Sequence, residues 1–301
     1  MATFFDTYHP YLHQLESGRY PQCVDDGLRF LLDMKRFAEN AYKNTPKGTP
    51  FYLLGIAAFQ SHDFQTATFL FDAAVSEDLQ HHPDPGNAPA LLTMQLDEKN
   101  PNQRALPIVQ AVVSKIETTI ARYNGRTGSR SLTTGEVRKY FLTYLLSASK
   151  PAHLRSLTTT FVSFFFEWDY RTKLIQLSES GSREPFFTHL FRGCLLFESL
   201  LKENKKKSPS KQTLQPILKE LAADLGIPVP FNITATSFET IVRSLAPTQP
   251  IEDAIRSTVR TRNTLGHNLA WTATSLDATR YDLLAENIAV SCLHAISCLY
   301  R

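Results

Sequence analysis

Apolar residues recur at spacings of three and four along almost the whole of this chain, and runs that alternate apolar with polar residues are hard to find. That period gathers side chains on one face of an α-helix and does not suit a pleated strand, so the sequence predicts an all-α protein. The stretch TTGEVRKYFLTYLL carries the pattern together with its start signal. Thr133 and Glu136 have capping-box spacing, Val137, Tyr140, Phe141, Tyr144 and Leu145 then follow one helical face, and Lys150-Pro151 closes the helix.

At 301 residues the chain can hold two domains of ordinary size, each burying its own core. The boundary is placed near Pro151, giving 1–150 and 151–301. Loops rich in Pro, Gly, Asn and Asp are expected at 81–89, 124–131 and 226–232, and a lysine-rich loop at 202–211. With 43% hydrophobic residues, 20% charged residues and a formal charge of +3, the composition suits a globular chain and names no partner. Cys23, Cys194, Cys292 and Cys298 form no C-x-x-C pair and lie on apolar helical faces. Buried free thiols in a reducing compartment, by default the cytoplasm, are therefore expected. FVSFFF at 161–166 is too short to span a bilayer and MATFFDTYHP lacks a basic start before a long apolar run, so neither membrane insertion nor secretion is expected. His81, His82 and Asp84 lack further spaced ligands, and no Gly-rich phosphate loop, G-x-S-x-G or H-E-x-x-H appears, so no metal or cofactor is expected.

Within 51–79, Phe51, Leu54, Gly55, Ala67, Phe71 and Ala74 stand at offsets that resemble a tetratricopeptide repeat, although Ala58 replaces an expected aromatic and no proline follows. A weaker copy lies at 17–32. The N-terminal half is thus expected to consist of irregular tetratricopeptide-like hairpins. After Pro151, helical segments are expected at roughly 152–178, 184–204, 211–225, 235–246, 251–266 and 279–300, forming a bundle. Tyr281, Leu284, Ile288, Cys292, Ala295, Ile296 and Leu299 form the stripe of its closing helix. FFTHLFRGCLLFESLL is apolar nearly all round, as a central helix or a subunit interface would be, and Arg192 inside it needs an explanation. His189 and His294 read as satisfied core histidines, and Trp168 and Trp271 as packing residues.

The segment PIEDAIRSTVRTRNTLGH opens with Pro250 and carries Glu252 and Asp253 in its first turn, which starts a helix running to about Gly266. On that helix Ala254, Ile255, Thr258, Val259 and Leu265 gather on one side, and Arg262 falls among them. A guanidinium on an apolar stripe is costly unless it is paired, snorkels or faces a cleft. Arg256, Arg260, Asn263 and His267 lie on the opposite half, and together these groups could surround a phosphodiester.

Arg262-Asn263-x-x-x-His267, at a helix end late in a bundle, resembles the signature of the HEPN domain, a helical ribonuclease fold marked by Arg, four to six residues, then His. The resemblance covers roughly 151–301 and implies a metal-independent endoribonuclease acting on RNA. The ribose 2'-hydroxyl attacks the neighbouring phosphorus and leaves 2',3'-cyclic phosphate and 5'-hydroxyl ends. His267 would serve as base or acid, Arg262 would hold the non-bridging oxygens, and Asn263 would orient the phosphate or the imidazole. Arg260, seven residues before His267, is the alternative catalytic arginine; otherwise it supports phosphate with Arg256 and Arg192. The resemblance further implies a homodimer with a composite cleft, and a setting in antiviral defence or as a toxin, with the N-terminal half sensing, recruiting or restraining. Two other readings remain: a non-catalytic adaptor that holds RNA or a protein, and the HEPN member of a toxin–antitoxin pair with a nucleotidyltransferase.

Overall fold

The computed structural model describes residues 11–82, 86–100, 102–128, 131–177, 181–204, 213–228, 237–266 and 276–301, and every regular element among them is helical, with no strand. Contacts divide the chain into two units, Met1–Ala111 and Val112–Arg301.

In the first unit, α1 (Tyr20–Phe37) packs on α2 (Gly48–Gln60), which pairs with α3 (Phe64–His81), followed by the short α4 (Pro89–Met94). Small residues let α2 and α3 approach closely. A Cβ on Gly55 would fall 2.6 Å from the Phe71 ring, and one on Gly27 of α1 would fall 2.4 Å from Leu54. Leu54, Gly55, Ala67, Phe71 and Ala74, singled out by their spacing, are all buried in this hairpin, while Phe51 is half-buried. The connection is tight: His62 takes a left-handed φ of 63°, and the Asp63 side chain caps α3 by accepting from Thr66 N–H at 3.1 Å. Asp63→Ala removes that acceptor and is expected to cost about 1 kcal/mol, read from the urea midpoint; an unchanged midpoint would show that the cap contributes nothing.

The division between units falls inside α5 (Leu106–Thr127), whereas Pro151 lies within the second unit. A continuous helix leaves no linker composition to mark the passage. The same helix corrects the loop expected at 124–131, because it continues through Gly125 to Thr127. Asn124 fastens its end: the side-chain amide donates to Leu132 O at 2.9 Å while its oxygen accepts from Leu132 N–H at 2.8 Å.

In the second unit Thr133 and Glu136 make the reciprocal capping box. The helix then widens into a π turn over Arg138–Leu142, which shifts the buried face to Val137, Phe141, Leu142, Leu145 and Leu146 and leaves Tyr140 and Tyr144 half-buried. The main helices are α6 (Arg155–Leu177), α7 (Glu184–Lys202), α8 (Leu214–Glu220), α9 (Phe238–Arg243), α10 (Ile251–Leu265) and α11 (Ala278–Leu299). The central element is α11, not α7. Every residue from Leu284 to Leu299 is buried, and α11 packs against α6, α7 and α10. By contrast α7 leaves Leu195 exposed and Phe191 and Arg192 half-buried. By length and composition α11 could cross a membrane, but its apolar window is 89% buried within the fold, the position of a core helix. Gly193 lets α7 meet its neighbours, since a Cβ there would fall 2.4 Å from Phe164 and 2.7 Å from Ile288.

Candidate functional site

Helix α10 carries most of the residues chosen from sequence. Pro250 precedes its first residue, Glu252 and Asp253 occupy the first turn, and Ala254, Ile255, Thr258, Val259 and Leu265 are buried. Thr258 ties the helix to α11 through a 2.9 Å hydrogen bond with the Ser291 hydroxyl. The buried face is wider than the apolar stripe, because Ser257 and Thr261 are buried too. Neither of their hydroxyls has a hydrogen-bond partner among the described residues, leaving two orphan donors one turn apart beside Arg260.

Arg262 is accounted for by a carboxylate. Its Nε–H donates to Glu198 Oε2 of α7 at 2.7 Å, and Lys202 Nζ donates to Glu198 Oε1 at 2.6 Å. The Glu198 side chain is only 6% exposed, yet that of Arg262 is 32% exposed. Burial alone would raise the Glu198 carboxyl, but the hydrogen bonds and charges of Lys202 and Arg262 hold it below its ordinary range. It therefore stays ionised at neutral pH and pins the guanidinium by one nitrogen. No described residue hydrogen-bonds the two terminal nitrogens of Arg262, and a guanidinium held in this way can present them as a fork to an oxyanion.

The other arginines have different surroundings. Arg256 pairs with Glu252 at 2.6 Å and approaches Asp253 at 3.8 Å, so it serves its own helix start. Arg192 donates to Glu167 Oε1 and, at 2.9 Å, to Ser163 Oγ, which explains a cation on an apolar helix without invoking a ligand. Arg260 is half-buried and Asn263 exposed. Gly266 caps α10 in a right-handed conformation, φ −68°, its N–H donating to Arg262 O at 3.0 Å. His267 lies outside the described residues, as do Trp271, Asp84 and most of the lysine-rich segment. The structure thus brings Arg262, Arg260 and Asn263 onto the last turns of α10 and assigns Arg192 and Arg256 to carboxylates.

Sequence reasoning missed those carboxylates. Glu167 and Glu198 each interrupt an apolar helix, as does Glu286 on α11, which pairs with Arg122 and Arg126. A lone acid inside a buried helix was the available signal, because such a group must be paired. His189 and His294 are core groups, with His189 bridging Phe164 O at 3.0 Å and Tyr281 Oη at 2.8 Å, and His294 lying 2.8 Å from Leu225 O. Trp168 is buried and donates to Asp282 Oδ1 at 2.7 Å. All four cysteines are free and buried, and burial pushes the Cys23 thiol up to about 11 and raises those of Cys194 and Cys292. No group of three or more potential metal-binding side chains occurs among the described residues. Compared with family models, curated proteins and solved structures, the chain matches none of them.

Proposed function

We propose that the second unit is a metal-independent endoribonuclease of HEPN type, and that Arg262 grips the scissile phosphate. The observation that supports this reading is the Glu198–Arg262 pair. A buried, ionised carboxylate fixes one guanidinium nitrogen and leaves two directed donors on a partly exposed side chain at the end of α10. Donors held in place before charge develops stabilise a phosphorane-like transition state without reorganising. His267, which follows in the chain, would move the proton of the 2'-hydroxyl or of the leaving oxygen. A second copy across a twofold axis would supply a second imidazole, so the working form is a homodimer. The tetratricopeptide-like hairpins of the first unit would recruit or restrain this activity, in a cytoplasmic setting of antiviral defence or toxin action.

A rival reading, in which the same fork holds RNA or an acidic partner without cutting, is favoured by the carboxylates that already occupy Arg192 and Arg256. Incubating a mixed RNA pool with the protein in EDTA separates the two. Under the nuclease reading, wild type yields 2',3'-cyclic phosphate ends, Arg262→Ala lowers the rate by about 100-fold or more, and His267→Ala is inactive. Glu198 keeps Lys202 when Arg262 is removed, so the variant should retain its fold, verified by an unchanged circular-dichroism spectrum. Equal cleavage by wild type and His267→Ala rejects His267 as the proton-transfer group, and with it the HEPN-type mechanism. RNA retained by wild type without cleavage, and lost in Arg262→Ala, supports the binding reading.

A further inference from the structure

The first unit contains a cavity of about 380 Å³ where α2 begins, and its wall includes Asp78, His82, Asn87 and Asn102 beside the apolar surfaces of Tyr52 and Leu53. That volume suits a small ligand. The charges around it are not equivalent. Glu77 is neutralised by the buried Lys47, whose ammonium lies 3.0 Å away and also donates to Tyr42 O and Thr45 O. Asp78, the next residue, is half-buried, and no hydrogen bond or ion pair from any described residue reaches its carboxylate. It packs against the first turn of α2 so closely that a Cβ on Gly48 would fall 2.1 Å from Oδ1. An anionic ligand seeking that helix start would meet this carboxylate first.

The remaining polar wall differs in sense. Asn102 Oδ1 is occupied, accepting from Arg104 N–H at 2.9 Å and Ala105 N–H at 3.3 Å. These backbone donors fix the orientation of the amide, and its NH₂ group is left to donate. Tyr52 Oη is engaged by Thr93 at 3.4 Å and so contributes mainly its ring. The cavity wall therefore holds a carboxylate, whose pKa burial raises and neighbouring His82 lowers, together with an amide donor and apolar surface.

We propose that this cavity binds an ammonium group carried next to a carbonyl, as in a free amino acid amide or the amino terminus of a peptide. The ammonium pairs with Asp78, the carbonyl accepts from Asn102, and an aliphatic side chain lies along Tyr52 and Leu53. The site stands in the first unit and does not depend on the RNA reading. Isothermal titration of the full chain tests it with leucinamide, leucyl-leucinamide, N-acetyl-leucinamide and 3-methylbutylamine. Leucinamide is expected to bind, while N-acetyl-leucinamide, which lacks the charge, and 3-methylbutylamine, which lacks the carbonyl, bind at least about 10-fold more weakly. Asp78→Asn and Asn102→Asp are isosteric, the second keeping the oxygen that caps the turn, and each is expected to weaken leucinamide by about 10-fold or more. Leucyl-leucinamide binding as well as leucinamide assigns a peptide terminus as the source, and its exclusion assigns a free amino acid amide. No heat with leucinamide, equal affinity for the acetylated probe, or wild-type affinity in a correctly folded Asp78→Asn overturns the proposal.

Discussion

Glu167→Ala is expected to lower the unfolding free energy by about 3 kcal/mol. The carboxylate is 1% exposed and every lone pair is in use. Arg171 donates to Oε2 from Nε at 2.9 Å and from its terminal nitrogen at 2.7 Å, while Ser163 at 3.1 Å and Arg192 donate to Oε1. Burial alone would raise this carboxyl, but the charges of Arg192 and Arg171 and the Arg171 hydrogen bonds hold it below its ordinary range, so it is a true anion in the folded state. Truncation takes from Arg171 its carboxylate partner and leaves Arg192 with Ser163 alone. Removing one member of a buried pair costs about 3–5 kcal/mol, and the lower end applies because the Arg192 and Arg171 side chains keep 25% and 17% of their exposure and can reach some water. Urea denaturation reads the loss. Glu167→Met combined with Arg192→Leu should recover part of it, since the pair is then replaced by apolar volume and only Arg171 loses its partner. A single variant within about 1 kcal/mol of wild type would mean that the network is worth no more than a surface ion pair.

Helices α7 and α10 of the second unit were legible because each buries a periodic face. The segments expected at 184–204 and 251–266 are realised as Glu184–Lys202 and Ile251–Leu265. What the sequence could not show is partnership over distance. Arg262 sits on an apolar stripe because of Glu198, 64 residues earlier, and Arg192 because of Glu167, 25 residues earlier. No local pattern encodes such pairs. The helix through Gly125 was hidden for a related reason. Its local composition favours a loop, and it is tertiary partners that hold it: Arg126 donates to Asn287 Oδ1 at 2.8 Å and Pro247 O at 3.0 Å, and also pairs with Glu286. The central place of α11 was hard to read because Glu286 and Asn287 interrupt its apolar run, yet both are satisfied inside the core, as is His294, expected there as a core histidine.

Acid should destabilise the second unit well above the range in which carboxylates protonate, and His189 is the cause. The ring is 1% exposed, stacks on Phe164 at 4.3 Å, and is held between Phe164 O and the Tyr281 hydroxyl. One nitrogen meets a carbonyl and the other a hydroxyl, an arrangement that a neutral ring donating from Nε2 and accepting at Nδ1 satisfies fully. Burial brings its pKa from 6.5 down to about 4, with Glu167 and the Phe164 carbonyl opposing the fall and Arg171 and Arg192 adding to it. Because the folded value lies below the unfolded one, the unfolded chain binds the proton first as pH falls. The contribution is complete above about pH 6.5, shrinks from there to about pH 4, and is level below. Across the whole window it amounts to about 3 kcal/mol, and between pH 7 and pH 5 to about 2 kcal/mol. His189→Gln can still donate to the carbonyl and accept from Tyr281 but has no titrating ring. Comparing urea stabilities at pH 7 and pH 5, wild type should lose about 2 kcal/mol more than this variant, even though the variant starts lower. Parallel losses in the two proteins would place the acid sensitivity elsewhere and show that the folded core tolerates a charged imidazole beside Glu167.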